Sequence, residues 1–308
     1  MTSVDLNGFA ALSHLGVIRA EGPDAASFLH GQLTQDFALL GASEARLAAL
    51  CTAKGRMIAS FIGLRPEPGR ILLVCGRDIL PQTLKRLSMY VLRAKVKLTD
   101  ASDEFALYGL AGPAVAANAV EAGAKPWRCV AVGDAQAVTL YPADSVPRAL
   151  WIAPASGAAP RGAALDLALW QWSEVRSGIV TLGTPVLEAF VPQMLNFESV
   201  GGVNFKKGCY PGQEVVARSQ FRGTLKRRTY LMQASAAVAA GDEVFTAQDA
   251  EQPVGTVAQA APSPGGGWAA LVSVQIAAVD SGVGLHARAA DGPALAVEPL
   301  PYPLLTDV

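Results

Sequence analysis

The chain of 308 residues is 51% hydrophobic and carries 25 Lys and Arg against 26 Asp and Glu, a formal net charge of -1. That near-neutral balance excludes a surface adapted as a whole to nucleic acid or anionic membrane, so any such contact has to be local. The length and apolar content supply more than a single core and predict two or three domains.

The opening residues Met1 to Gly8 lack the basic and apolar regions of a signal peptide, and no apolar run reaches the length needed to span a bilayer. A cytoplasmic protein with reduced thiols is the expectation. Leu15 to Ala20 reads as a strand closed by Gly22-Pro23, and Asp24 to His30 as a short helix stopped by Gly31. Arg46 to Leu64 and Ile71 to Cys75 are β-like runs separated by the turn-rich stretch from Arg65 to Arg70. After Asp78, Leu80, Leu84, Leu87 and Val91 fall at helical spacing, and Val96 to Leu98 resumes strand character. Phe105 to Leu110, then Gly112-Pro113 and an alanine-rich segment to Ala122, repeat the order of strand then helix. These units predict an α+β layer architecture.

Ala153 to Gly162 is a loop by composition, after which Leu165, Leu169, Trp172 and Arg176 lie on one helical stripe ending near Gly178. Arg176 has two readings: a guanidinium on the last-turn carbonyls, which favour cations, or a ligand contact. Trp170 and Trp172 project to different sides, so one belongs to the core while the other is a candidate for a cleft wall. From Thr229 onward, the runs Tyr230 to Gln233, Val254 to Ala258, Trp268 to Val274 and Ala294 to Val297 alternate with Gly and Pro turns, which predicts a small C-terminal β-barrel.

The segment from Lys206 to Arg218, KKGCYPGQEVVAR, holds the candidate reactive group. Pro211 suits the first turn of a helix running through Glu214, Val215, Val216 and Arg218, which places Cys209 just before unsatisfied N–H groups. The positive helix end and Lys206 and Lys207 favour thiolate, and Gly208 and Gly212 leave backbone room beside the sulfur. The competing reading is a buried, inert cysteine. Cys51 lies just before Lys54-Gly55, whereas Cys75 and Cys129 sit in apolar runs that read as core. The four cysteines form no C-x-x-C pair and no His stands at metal-ligand spacing, which argues against a zinc site. His14, His30 and His286 are isolated in sequence from acidic or thiol partners and read as structural. Lys226-Arg227-Arg228 is either a solvated strand entry or a contact for RNA phosphate, and the overall charge speaks against a large RNA footprint.

The motifs taken together resemble the YgfZ-type folate-binding family, a relative of the glycine-cleavage aminomethyltransferase (T protein), over nearly the whole chain. Lys-Gly-Cys-Tyr-Pro-Gly-Gln-Glu at 207 to 214 is similar to the family signature, preceded by the Phe190 to Asn196 and Gly201 to Phe205 stretches. Asp24 with Phe28 to Asp36, Ala53 to Met57, Lys226 to Arg228 and Glu298 to Tyr302 resemble its other motifs. The resemblance implies a three-domain ring around a central channel, with a folate site between two interleaved N-terminal α+β domains and the barrel against them. The first domain would take 1–45 and about 103–220, the inserted ferredoxin-like domain 46–102, and the barrel 225–308.

In function the resemblance implies a factor that supports assembly or repair of iron-sulfur enzymes, including a tRNA-methylthiolating one, in a folate-linked way. Cys209 would be the functional thiol, with Lys207, Gly208, Tyr210, Gly212, Gln213, Glu214 and Arg218 shaping its environment. Trp170 would stack on the pterin of a tetrahydrofolate or other folate, and Arg218, Lys226 and Arg228 would hold its glutamate tail. Two departures from the transferase pattern matter. Ala59 and Ser60 stand where the catalytic carboxylates belong and cannot serve as a base, which argues against tetrahydrofolate-dependent aminomethyl transfer. Arg176 replaces the acid that reads the pterin N–H donors, and a guanidinium only donates. The alternatives kept are an aminomethyltransferase-like enzyme and a folate-free scaffold docking a cluster-bearing partner through Cys209. One thiol holds no cluster alone, since iron-sulfur centres take about four cysteine-type ligands, so Cys209 would be a shared ligand. Partners are iron-sulfur enzymes or cluster carriers, without direct tRNA or membrane contact, and a monomer is the plain expectation.

Overall fold

The computed structural model describes residues 4–221 and 225–305. Residues 1–3, where the first expected domain begins, 222–224, and 306–308, where the expected barrel ends, lie outside the described residues. In chain order, β1 (Gly8–Ala11) and β2 (Leu15–Glu21) lead to α1 (Ala25–Gln32), and β3 (Ala45–Cys51), β4 (Met57–Glu67) and β5 (Arg70–Gly76) to α2 (Leu80–Ser88). Then β6 (Lys97–Asp100) and β7 (Phe105–Ala111) precede α3 (Pro113–Ala117), and β8 (Cys129–Val132), β9 (Ala135–Ala143) and β10 (Val146–Pro154) precede α4 (Leu167–Arg176). After α5 (Gln213–Phe221) come β11 (Arg227–Ala234), β12 (Glu243–Thr246), β13 (Gly255–Pro262), β14 (Trp268–Gln275), α6 (Ile276–Asp280), β15 (Leu285–Ala287) and β16 (Ala294–Glu298).

Two five-stranded sheets form, in the orders β1-β7-β10-β9-β8 and β3-β4-β5-β2-β6, and β11-β14-β13-β12-β15-β16 close into the expected C-terminal barrel. The α+β architecture and barrel are as the sequence predicts. No helix among the described residues is long and apolar enough to cross a membrane.

The grouping of strands differs from the expected division at residue 45. β2 sits between β5 and β6, with Val17 opposite Val74 and Ile18 opposite Asp100, so it joins the sheet assigned to 46–102. Leu15, Val17, Ile18 and Ala20 are all buried, and the backbone N–H and C=O groups of such a buried strand need ladder partners on both edges, which β5 and β6 supply. The run from Arg46 to Leu64 is two strands joined at Thr52–Arg56, where Gly55 takes φ +71°. The alanine-rich helix stops at Ala117, because the Asn118 amide donates to the Ala114 and Arg161 carbonyls and Ala119 turns to φ +59°.

Apolar side chains from α1, the β3–β6 sheet, α4, the 180–203 stretch and the barrel residues Leu231, Leu271 and Tyr302 form one core. Polar ties reinforce that joint. Arg228 is buried and donates to Glu198 at 2.6 Å and to the Leu305 carbonyl at 2.8 Å. Asn196, in the left-handed region at φ +58°, donates to the Thr229 carbonyl at 2.7 Å, and the Tyr302 hydroxyl donates to the Gly178 carbonyl at 2.7 Å. Arg228→Met strands the Glu198 carboxylate in the core and is expected to destabilise the protein by about 3–5 kcal/mol, whereas Arg228→Met with Glu198→Leu recovers most of the loss; urea unfolding of the three proteins checks this.

Candidate functional site

Three stretches distant in sequence meet around Cys209. The end of α1 leaves backbone carbonyls without intrahelical partners, and the Lys207 ammonium donates to two of them, on His30 and, at 2.9 Å, on Leu33. The same ammonium lies 4.5 Å from the Tyr210 ring centroid, a cation on an aromatic face. Lys207 and Tyr210 are both buried, so the residues on either side of Gly208-Cys209 are fixed. Burial pushes the Lys207 ammonium down to about 8, opposed by the charges of Asp36 and Cys209.

The third stretch is the β3–β4 turn. Gly212 sits at φ +81°, and a Cβ there would stand 2.8 Å from the Gly55 backbone as well as against the Thr52 carbonyl. A Cβ on Gly55 would in turn meet the Val215 side chain at 3.0 Å. Backbone packs directly on backbone, which is what those two glycines are for. Within the turn the Gly55 N–H donates to the Thr52 carbonyl at 2.9 Å, and Arg56 Nη1 donates to the Ala189 carbonyl at 2.6 Å.

Helix α5 begins at Gln213, later than expected, because Gly212 turns the chain and its carbonyl accepts the Val216 N–H at 3.2 Å. Pro211 therefore lies in the preceding turn, and Cys209 stands one turn before the helix rather than on its free N–H groups. The helix dipole falls off over that distance, leaving Lys207 as the nearer positive charge. Cys209 is exposed, while Cys51, Cys75 and Cys129 are buried. Desolvation pushes the Cys51 and Cys75 thiols up to about 12 and that of Cys129 to about 11. Among the motif residues, Gln213 is half-buried, and Glu214 and Arg218 are exposed on α5.

Sequence reading missed His30. Its Nδ1 lies 3.0 Å from Asp36 Oδ1, and its Nε2 lies 3.3 Å from where a Cβ on Gly208 would stand. Burial works to raise the Asp36 carboxyl, but bonds from the Leu39 N–H and His30 hold it below its ordinary range. The signal was present as a histidine and an aspartate six residues apart across the end of α1, in one motif. His14 is not isolated either, with Nε2 at 3.1 Å from Glu174, 160 residues on.

The expected folate residues are placed otherwise. Trp170 is only 1% exposed, with Nε1 donating to Glu174 at 2.9 Å, the Arg148 guanidinium 4.3 Å from its ring centroid, and Gly109 against it where no side chain would fit. Its faces are covered, so it stacks on no pterin. Arg176 donates to Asp144 at 2.6 Å and to Glu298, clamping α4 to the β9–β10 turn and the last barrel strand. Arg228 is spent on Glu198. Arg218 and Lys226 are exposed, without a salt bridge among the described residues. Ala59 is fully buried, and Ser60 accepts the Leu182 N–H at 2.9 Å, so both are structural.

Residues 6–124 match the family model described as the GCVT N-terminal domain. Similar curated proteins include the tRNA-modifying protein YgfZ of Edwardsiella ictaluri, 35% identical over 71% of this chain and 69% of that one. The tRNA-modifying protein YgfZ of Sodalis glossinidius is 33% identical over 95% of this chain and 92% of that one. Among solved structures, the glycine cleavage system aminomethyltransferase T from Bartonella henselae matches with a TM-score of 0.72 over 96% of this chain and 86% of that one. At 18% identity that last likeness is one of fold.

Native protein is expected to react with iodoacetamide at Cys209 alone, with the other three thiols labelled only after unfolding, as peptide mass mapping would read. Lys207 adds a pH signature. Its ammonium titrates near 8 when folded against an ordinary 10.5, so between those values the unfolded chain binds more protons and this residue makes stability rise with pH. Lys207→Met removes that rise, and costs about 1–3 kcal/mol at neutral pH by leaving the α1 carbonyls unpaired; denaturation curves across the window check both.

Proposed function

This chain belongs to the YgfZ family and has a YgfZ-type role on a fold shared with the glycine-cleavage T protein, and from that premise we propose that it is an accessory factor supporting assembly or repair of iron-sulfur enzymes that modify tRNA. The observation that carries the proposal is Cys209, an exposed thiol on a turn locked by Lys207, Tyr210 and the Gly55–Gly212 contact, while the other cysteines are buried. A thiolate presented this way donates one ligand to iron and leaves the remaining ligands to the client or carrier. Lys207 supplies positive charge behind it. His30, with Nδ1 at 3.0 Å from Asp36, presents its other ring nitrogen to the motif backbone at Gly208.

A folate bound as expected does not fit, because Trp170, Arg176 and Arg228 are consumed by internal contacts. A cleft of about 580 Å³ between the end of β5, α4 and the barrel fits better, a size suited to a small organic ligand. It is lined by His14, Gln171, Glu174, Gln259 and Trp268. His14 Nδ1 there is buried without a hydrogen-bond partner among the described residues, and the Glu174 carboxylate, which already accepts from Trp170 Nε1 and meets His14 Nε2, keeps further lone pairs for N–H donors of the kind a pterin offers. Glu174 thus replaces the acid whose expected place Arg176 fills. Aminomethyl transfer finds no carboxylate at Ala59 or Ser60 and is not part of the proposal.

In cells lacking the native protein, wild type is expected to restore tRNA methylthiolation and Cys209→Ser to fail at equal abundance; full restoration by Cys209→Ser overturns the thiol role. Calorimetry with tetrahydrofolate is expected to give saturable binding that Gln171→Trp abolishes by filling the cleft. No binding to wild type favours the folate-free docking scaffold.

A further inference from the structure

Between Asp78 and Asp100 the chain contains no acidic residue but five cations, Lys85, Arg86, Arg93, Lys95 and Lys97. Among the described residues, none of the five makes a salt bridge, although Lys97 faces Glu21 closely enough to lower its carboxyl. The turn that follows α2 carries Met89, Tyr90 and Leu92, which are 62%, 41% and 86% exposed. Exposed large apolar side chains set among unpaired cations are costly to keep on a surface with no partner.

This segment is ordered. Met89 N–H donates to the Lys85 carbonyl at 3.2 Å, Tyr90 N–H to Leu87 at 3.0 Å and Val91 N–H to Ser88 at 3.1 Å. Farther on, the Lys95 N–H donates to the Asp24 carboxylate at 2.6 Å, which pins the segment to the start of α1. The patch and the Cys209 turn are therefore anchored to opposite ends of α1, whose eight residues span roughly 12 Å.

We infer that this surface binds single-stranded RNA, as a loop or an end, through phosphate contacts from Lys85, Arg86, Arg93 and Lys95 and base stacking on Tyr90. The expectation of no RNA contact rested on the charge of the whole chain, whereas these cations stand together on one segment that the fold leaves at the surface without carboxylate partners among the described residues. Guanidinium forks suit phosphate, and an exposed phenol ring offers the π-face that unpaired bases stack on. A lipid surface would call for an amphipathic helix several turns long, and here the apolar side chains follow the helix end in a turn. This inference goes beyond the thiol-based role and does not depend on it.

The test is fluorescence anisotropy with a labelled RNA stem-loop and, in parallel, phosphatidylserine vesicles and a polyglutamate peptide. Wild type is expected to bind the RNA with a log-affinity slope against log salt of about -3, for four phosphates at about 0.7 each. Lys85→Glu with Arg93→Glu should weaken binding at least about tenfold and flatten the slope, and Tyr90→Ala should weaken it about tenfold with the slope kept. All three substitutions lie on exposed positions, and circular dichroism verifies their fold. Cys209→Ser should bind RNA as wild type does, which separates this inference from the thiol role. No RNA binding at about 50 mM salt, equal binding of polyglutamate, or binding of vesicles alone would overturn it.

Discussion

The Lys207 ammonium on the open end of α1 is the contact on which the site depends. A helix that ends without a cap leaves carbonyls that must find donors, and here the donor comes from the residue two before the exposed thiol. That one interaction makes the position of Cys209 a consequence of where α1 ends. Tyr210 closes the other side of the ammonium, and the Gly212–Gly55 contact brings in the β3–β4 turn. The thiol is thus the outward tip of a small buried assembly, which limits the freedom of an exposed residue without covering it.

The same chain uses several of its arginines for internal contacts between elements. Arg228 pairs with a carboxylate that has no exposure, and Arg176 bridges two carboxylates from different elements. Arg148 is buried over the Trp170 ring, where burial pushes its guanidinium down to about 10 against the pull of Glu174. A charge removed from water is retained only with a partner, so these residues are unavailable to a ligand. On the same helix as Arg176, Glu174, two positions earlier, lines the cleft beside the barrel.

The cations that remain unpaired fall on the surface, and their distribution matters more than their sum. Lys206 stands three residues before the thiol and Arg218 is exposed on α5, while Lys85 to Lys95 flank the apolar turn after α2. A net charge of -1 conceals both groups. Long-range steering follows the local field, which Debye screening confines to about 8–10 Å at physiological salt, so two such regions act separately.

How much was legible follows from the range of each signal. Strand and helix periodicity, the Gly and Pro punctuation and the barrel spacing are local, and they gave the α+β class, the C-terminal barrel and most of the elements, but not β1, the adjacent strands β8, β9 and β10, or β12, α6 and β15. The run KKGCYPGQE identified the thiol and the charged turn around it. What sequence alone left open was every question of partnership. Ladder pairing with β5 and β6 on its two edges put β2 into the second sheet, and the positive φ of Gly212 moved the start of α5 past Pro211. Tertiary contacts turned Trp170, Arg176 and Arg228 from prospective ligand contacts into internal ones. They also gave His30 and His14 their carboxylates. By itself the sequence determined which groups carry chemistry, because residue type and local spacing are written in it; the fold alone decided which of them stay free, because desolvation forces each buried charge to take whatever partner the packed chain brings within reach.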